Sequence, residues 1–131
     1  MAKYAYPAIF TRENEGYSVR FPDIEGCFTC GATLPEAIEM AEDALSLMLY
    51  DHEEDGCPIP APSDWKAVQG TTEELVSLVR CDTTEYRKLF DDRAVKKTLT
   101  IPNWLNTLAE RSGINFSAVL QDALKARLDV S

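Results

Sequence analysis

Two kinds of periodicity divide this chain. Residues 4–10 are rich in strand formers, and Glu13-Asn14-Glu15-Gly16 supplies turn chemistry. Tyr17, Val19 and Phe21 then alternate with Ser18 and Arg20, the period-two pattern of a half-buried strand. Pro22-Asp23 and Glu25-Gly26 mark another turn, and residues 27–33 fit a third short strand. At Thr33 the period changes. Leu34, Ala37, Ile38, Ala41, Leu45 and Met48 recur at helical spacing, with Glu36, Glu39, Asp43 and Ser46 on the other side. Thr33 is placed to cap this helix, and Pro35 is tolerated in its first turn. Residues 51–56 end it, and Cys57-Pro-Ile-Pro-Ala-Pro62 forbids its continuation. Residues 73–80 read as a fourth strand, and Asp82-Thr-Thr-Glu85 reads as a capping box opening a short helix to about Phe90. The order βββαβα predicts an α+β domain over residues 1–90, with a helix covering one face of a small sheet.

Residues 91–94 read as a hinge, and a different device follows over residues 95–131. Val95, Leu99 and Ile101 fall on one strand face together with Lys97, while Lys96, Thr98 and Thr100 fall on the other. Pro102 suits the first position of a helix carrying Leu105, Leu108 and Ala109, which Gly113 stops in a left-handed cap. Ser117 is placed to cap a last helix with Leu120, Ala123, Leu124 and Leu128 on one face. This β-α-α tail has a single strand, and a single strand with an apolar face needs a partner. A second copy is the simplest supplier, giving a two-stranded antiparallel ribbon of the kind that lies in the DNA major groove.

Charge separates the two devices again. Residues 1–92 hold 7 Lys/Arg against 19 Asp/Glu, whereas residues 93–131 hold 6 against 3, so a net −9 chain carries a basic tail. An acidic body repels nucleic acid and attracts basic proteins, and the tail attracts phosphate. Apolar content of 45% over 131 residues allows one domain with a core and a small appendage. No apolar run is long enough to span a membrane. The N-terminal segment meets Thr11-Arg12-Glu13 too early for a secretory signal, so a cytoplasmic location is expected.

The tail, Lys96-Lys-Thr-Leu-Thr-Ile-Pro102 through Gly113-Ile-Asn-Phe-Ser117, resembles the ribbon–helix–helix family of DNA-binding dimers. The body resembles HicB antitoxins through Phe21-Pro-Asp-Ile-Glu-Gly-Cys27, Gly31-Ala-Thr-Leu-Pro-Glu-Ala37 and Asp82-Thr-Thr-Glu-Tyr86. Together the two resemblances cover nearly the whole chain. They imply a degraded, non-catalytic ribonuclease-H-like fold for the body. They also imply a partner: a small basic HicA-type toxin with a double-stranded-RNA-binding fold that cleaves mRNA.

Carried onto this chain, the ribbon–helix–helix arrangement places Lys96, Thr98 and Thr100 against base edges. Lys can donate to guanine, and Thr offers a hydroxyl together with a methyl that suits thymine. The start of the last helix, near Asn115 and Ser117, would meet a DNA phosphate. Glu36, Glu39 and Asp43 on the outer face of the long helix are the candidate toxin-binding surface, followed by Asp51-His-Glu-Glu-Asp55. Such a surface mimics nucleic-acid phosphate; its bland alternative is a solvated helix face.

No metal, cofactor or catalysis is expected. Cys27 and Cys30 have a metal-pair spacing, but on a strand residues i and i+3 face opposite ways, and Cys57 and Cys81 add no second pair. Buried, reduced thiols are the expectation. His52 lacks the second histidine of a zinc-protease helix and is expected on the surface at a helix end. Asp23, Glu25, Glu42 and Asp43 invite a two-metal nuclease reading, yet their spacing does not bring them together, and Glu42 and Asp43 leave their helix about 100° apart.

The expected function is an antitoxin that occludes its toxin and autorepresses its operon by DNA binding. The expected assembly is a homodimer through residues 95–131, and a tetramer if the body also self-associates. The alternative is a ligand- or metal-responsive ribbon–helix–helix transcriptional repressor, against which the single His and scattered Cys argue.

Overall fold

The computed structural model describes residues 2–131, which form two compact units: the chain up to Arg93, and Ala94–Ser131. The first unit contains β1 (Lys3–Glu13), β2 (Gly16–Arg20), β3 (Phe28–Gly31), α1 (Leu34–Asp55), β4 (Glu74–Asp82) and α2 (Thr83–Phe90). The second contains α3 (Asn103–Arg111) and α4 (Phe116–Leu128). The strands make one antiparallel sheet in the order β3-β2-β1-β4. The expected α+β body is therefore present, with β1 at its centre.

Alternation along β1 sends Tyr6, Ala8 and Phe10 to the face that α1 covers. They pack with Val19, Val79, Cys81 and the helix residues Ala37, Ala41, Leu45 and Leu49. The buried stripe of α1 thus repeats every fourth residue. It includes Leu49 and excludes Ile38, which is 42% exposed, so the stripe read from the sequence is rotated slightly from the real one. Two alanines on that stripe let the helix lie close to the strands. The closest approach is at Gly31, where an added Cβ would stand 2.5 Å from the Ala37 nitrogen.

The segment between β2 and β3 folds back on itself instead of extending a strand. Phe21 N–H donates to the Cys27 carbonyl at 3.1 Å, and Ile24 and Cys27 N–H groups close two inner turns. This buries Phe21, Ile24 and Cys27 in the core and delays β3 to Phe28, one residue later than the pattern indicates.

Three of the body's four helix ends have an identifiable cause. Thr33 Oγ1 accepts from Glu36 N–H at 3.3 Å, and the Glu36 carboxylate accepts from Ala32 N–H at 3.2 Å. Gly56, in the left-handed region at φ 68°, ends α1. Asp82 caps α2 by accepting from Thr84 and Glu85 N–H groups, but Glu85 turns to Lys88 at 3.0 Å instead of reaching back. Only half of the expected capping box forms.

Glu53 of α1 ties three elements together. Its carboxylate accepts from the Tyr4 hydroxyl at 3.0 Å and from Arg87 at 3.1 Å, and the Thr83 hydroxyl lies 3.0 Å away. Burial pushes this carboxyl's pKa up, but the hydrogen bonds it accepts, those from Arg87, Thr83 and Tyr4 among them, outweigh burial and hold the acid below its ordinary range. A depressed carboxyl pKa stabilises the fold above the ordinary value and loses that stabilisation as pH falls through the lowered one. Thermal melts from pH 6 to pH 3 should therefore show a steeper fall for the native chain than for Glu53→Gln. That variant should also lose about 1–3 kcal/mol at pH 7.

In the second unit the expected strand over residues 95–101 forms no ladder, because one copy offers no partner strand. Pro102 is the residue before α3, not its first helical position. Gly113 follows α3 at φ 69°. Asn115, not Ser117, caps α4: its side-chain oxygen accepts from Ala118 N–H at 3.1 Å, which fixes the helix start two residues earlier.

Candidate interaction surfaces

Ala94–Ser131 contains no buried residue. Leu99 is 64% exposed and Val95 72%, and Ile101, Trp104, Leu105, Leu108, Ile114, Phe116 and Val119 are all exposed with them. The amphipathic pattern is present, but one copy cannot bury it. Apolar side chains exposed in this number, if contiguous, are of the kind that mark an association site. Lys96, Thr98 and Thr100 are exposed, on the alternate positions to Val95, Leu99 and Ile101. Asn115 spends its side chain on the α4 cap, and Ser117 lies exposed in that helix's first turn.

On the body, the candidate acidic residues do not stay together. Glu36 belongs to the α1 cap described above. Glu39 and Asp43 instead line an open groove of about 670 Å³ between α1 and α2, with Glu42, Asp82 and Glu85. Lys3 and Arg80 are its two cations. Its apolar lining includes Leu89 and the mutually tilted Tyr86 and Phe90, whose ring centres are 4.5 Å apart. Burial and then the negative fields of Asp43 and Asp51 push the Tyr86 phenol above its ordinary pKa. The sequence pointed to the α1 acids but missed Asp82, Glu85 and the aromatic pair. These come from the end of β4 and from α2, which periodicity alone cannot place beside α1.

The acidic run after them is partly neutralised within the fold. Arg87 pairs with both Glu53 and Glu54 and lies over the Tyr50 ring at 4.7 Å. His52 is half-buried in the last turn of α1, with Nδ1 2.6 Å from the Met48 carbonyl.

All four cysteines are free. Cys27 and Cys81 are buried, and burial pushes both thiols up to about 11; Cys30 and Cys57 are exposed, contrary to the expectation that all four are buried. Asp23 accepts from the Ser63 backbone at 3.0 Å and from its hydroxyl. Among the described residues, no three His, Cys, Asp or Glu side chains gather as a metal site would need. Nor is any described helix long and apolar enough to cross a membrane.

An antiparallel sheet with one covering helix, an acidic groove beside that helix, and a separate helical unit without a core of its own define a two-part α+β protein. The family model described as "HicB_like antitoxin of bacterial toxin-antitoxin system" matches residues 6–123, and the chain belongs to that family. Antitoxin HicB 2 of Photorhabdus laumondii is 43% identical over 58 residues, 44% of this chain and 42% of that protein. An uncharacterized 14.9 kDa protein of Haemophilus phage HP1 is 45% identical over 53 residues, 37% of this chain and 40% of its own length. The chain thus matches about two fifths of these relatives' lengths. Among solved structures, a chain of a toxin-antitoxin complex from Streptococcus pneumoniae superposes with TM-score 0.62 at 31% identity, covering 95% of this chain and 99% of that one. A chain of the HicA3 and HicB3 toxin-antitoxin complex gives TM-score 0.52 at 28% identity, covering 60% of this chain and 99% of its own.

Proposed function

We propose that this chain is an antitoxin that neutralises a small basic HicA-type mRNA-cleaving toxin by occlusion and represses its own operon through its tail. It acts in the cytoplasm as a binding protein without catalysis of its own. The observation that carries this reading is the family match, which runs through both the acidic body and the basic tail. Its likeness to chains from toxin-antitoxin complexes supports the same pairing.

The division of labour follows from charge and burial. Glu39 and Asp43, with Glu36 on the same helix, present negative charge to a basic ribonuclease and compete with its RNA. The tail pairs with a second copy, burying Val95, Leu99 and Ile101 and turning Lys96, Thr98 and Thr100 to the base edges. Asn115 and Ser117 bring the start of α4 to a phosphate.

Co-expression with the basic product of the adjacent reading frame tests the antitoxin role: a stable complex in which RNA cleavage stops is the expected result. No complex, or a complex that still cleaves RNA, would overturn it. Two variants separate the surfaces. Glu39→Lys with Asp43→Lys should slow toxin association by about 10- to 100-fold at low salt, with a smaller effect at high salt. Lys96→Ala with Thr98→Ala should remove operator binding in a gel shift while toxin neutralisation persists.

A further inference from the structure

Charge in the groove between α1 and α2 is unevenly committed. Asp82 caps α2 and Glu85 holds Lys88, so both have partners within the fold. Glu39, Glu42 and Asp43 differ: among the described residues, no hydrogen bond or ion pair engages their carboxylates. Glu39 and Asp43 stand one turn apart on α1, where side chains are surface neighbours. The cations of the lining, Lys3 and Arg80, come from the strands, and neither lies over a ring.

A row of rings runs beside these acids. Tyr50 and Tyr86 have centres 5.3 Å apart, and Tyr86 and Phe90 4.5 Å. After burial, the field of Asp43 does most to raise the Tyr86 phenol, so that acid belongs to the row's surroundings. The two ends of the row differ. At the Tyr50 end, Arg87 lies over the ring at 4.7 Å and pairs with Glu53 and Glu54. At the other end Phe90 is 65% exposed and Leu89 beside it 74%. Among the described residues no cation lies over Phe90 or Tyr86. Ring and carboxylates thus recur there without the guanidinium that joins them at the first end.

We infer that this end of the groove takes an arginine of the toxin, its guanidinium over Phe90 and its charge met by Glu39 and Asp43. The inference rests on the antitoxin reading and narrows it to one side chain of the partner. Arginine fits better than lysine. Its planar fork lies flat on a ring while bonding carboxylates, whereas an ammonium is a compact, strongly hydrated point charge. Leu89 would cover the methylene stem. The sign of the charge disfavours nucleic acid, and the spread of the acids disfavours a metal ion. To a ribonuclease, carboxylates beside an exposed ring offer what a nucleotide offers, negative charge beside a flat base.

A double-mutant cycle on the full chain and the basic product of the adjacent reading frame tests this contact. Each arginine of that product is changed in turn to lysine, which keeps the charge, and affinities are measured at fixed salt. One lysine variant should bind the native chain about tenfold more weakly. Phe90→Leu keeps an exposed apolar side chain without the ring, and should also lose about tenfold. In that background the same lysine variant should cost nothing further. Phe90→Trp, which enlarges the ring, should bind at least as tightly as the native chain. Normal binding with no arginine coupled to residue 90 would overturn the inference and leave the antitoxin reading standing. Absence of any complex would overturn both. Phe90→Leu that alters the sedimentation of the toxin-free chain but not its toxin affinity would give the groove to a second copy, and would also overturn the inference.

Discussion

Leu99→Asp is expected to abolish both tail pairing and operator binding while leaving the body folded. Leu99 stands in the middle of the apolar face of residues 95–101, and nothing in its own copy covers it. In a ribbon the same residue enters twice, once from each copy. Two carboxylates would then lose water without a partner, at about 2 kcal/mol or more each. The sum, about 4 kcal/mol, raises the dimer dissociation constant about a thousandfold. Because the acid stays exposed in the single chain, the melting transition of the body should hardly move. Analytical ultracentrifugation, gel shift and thermal melting of one preparation therefore separate loss of pairing from loss of folding. An unchanged dimer dissociation constant would show that residues 95–101 do not form the interface.

Gly31→Ala is the counterpart in the body, where it should destabilise strongly. The backbone there is ordinary strand, so the constraint is space. A Cβ would meet the Ala37 nitrogen at 2.5 Å, the Ala37 Cα at 2.7 Å and the Glu36 carbonyl carbon at 2.9 Å. All three are backbone atoms of the first turn of α1, and none can rotate away as a side chain could. Relief requires β3 and α1 to separate, opening the layer between Val19 and Ala37. The expected cost is about 3 kcal/mol, at the upper end for overpacking, seen as a lower denaturation midpoint with unchanged slope. A loss below 0.5 kcal/mol would mean that α1 shifts freely at this end.

Local chemistry made most of the fold legible. Alternation at Tyr17, Val19 and Phe21, the helix opening at Thr33 and the breaker at Gly56 are one-dimensional signals, and each element appears where they point. What failed needed a third dimension. Ile38 is apolar and in phase with the helix stripe, yet it lies on the β4 side of α1, where the sheet stops. Cys27 continues a strand-like pattern, but the buried turn through Ile24 claims it first. Asn115 and Ser117 are equally good caps on paper; the choice depends on which oxygen reaches an N–H, and Asn115 reaches Ala118. Lys96, Thr98 and Thr100 are exposed, on a segment that has no strand partner in one copy. The groove was only half legible, because Asp82, Glu85, Tyr86 and Phe90 reach Glu39 and Asp43 by packing rather than by spacing.

The coreless tail also changes what abundance means for this chain. If the tail pairs as proposed, a segment whose apolar side chains are covered only by another copy has a paired population set by mass action. Halving the amount of protein would quarter the paired species when pairing is weak. The body, whose core is its own, would keep folding at any dilution. Operator occupancy would then respond at least as the square of concentration, while capture of a partner by the body would respond in simple proportion. On the proposed function, a cell losing this protein would lose repression before it lost protection.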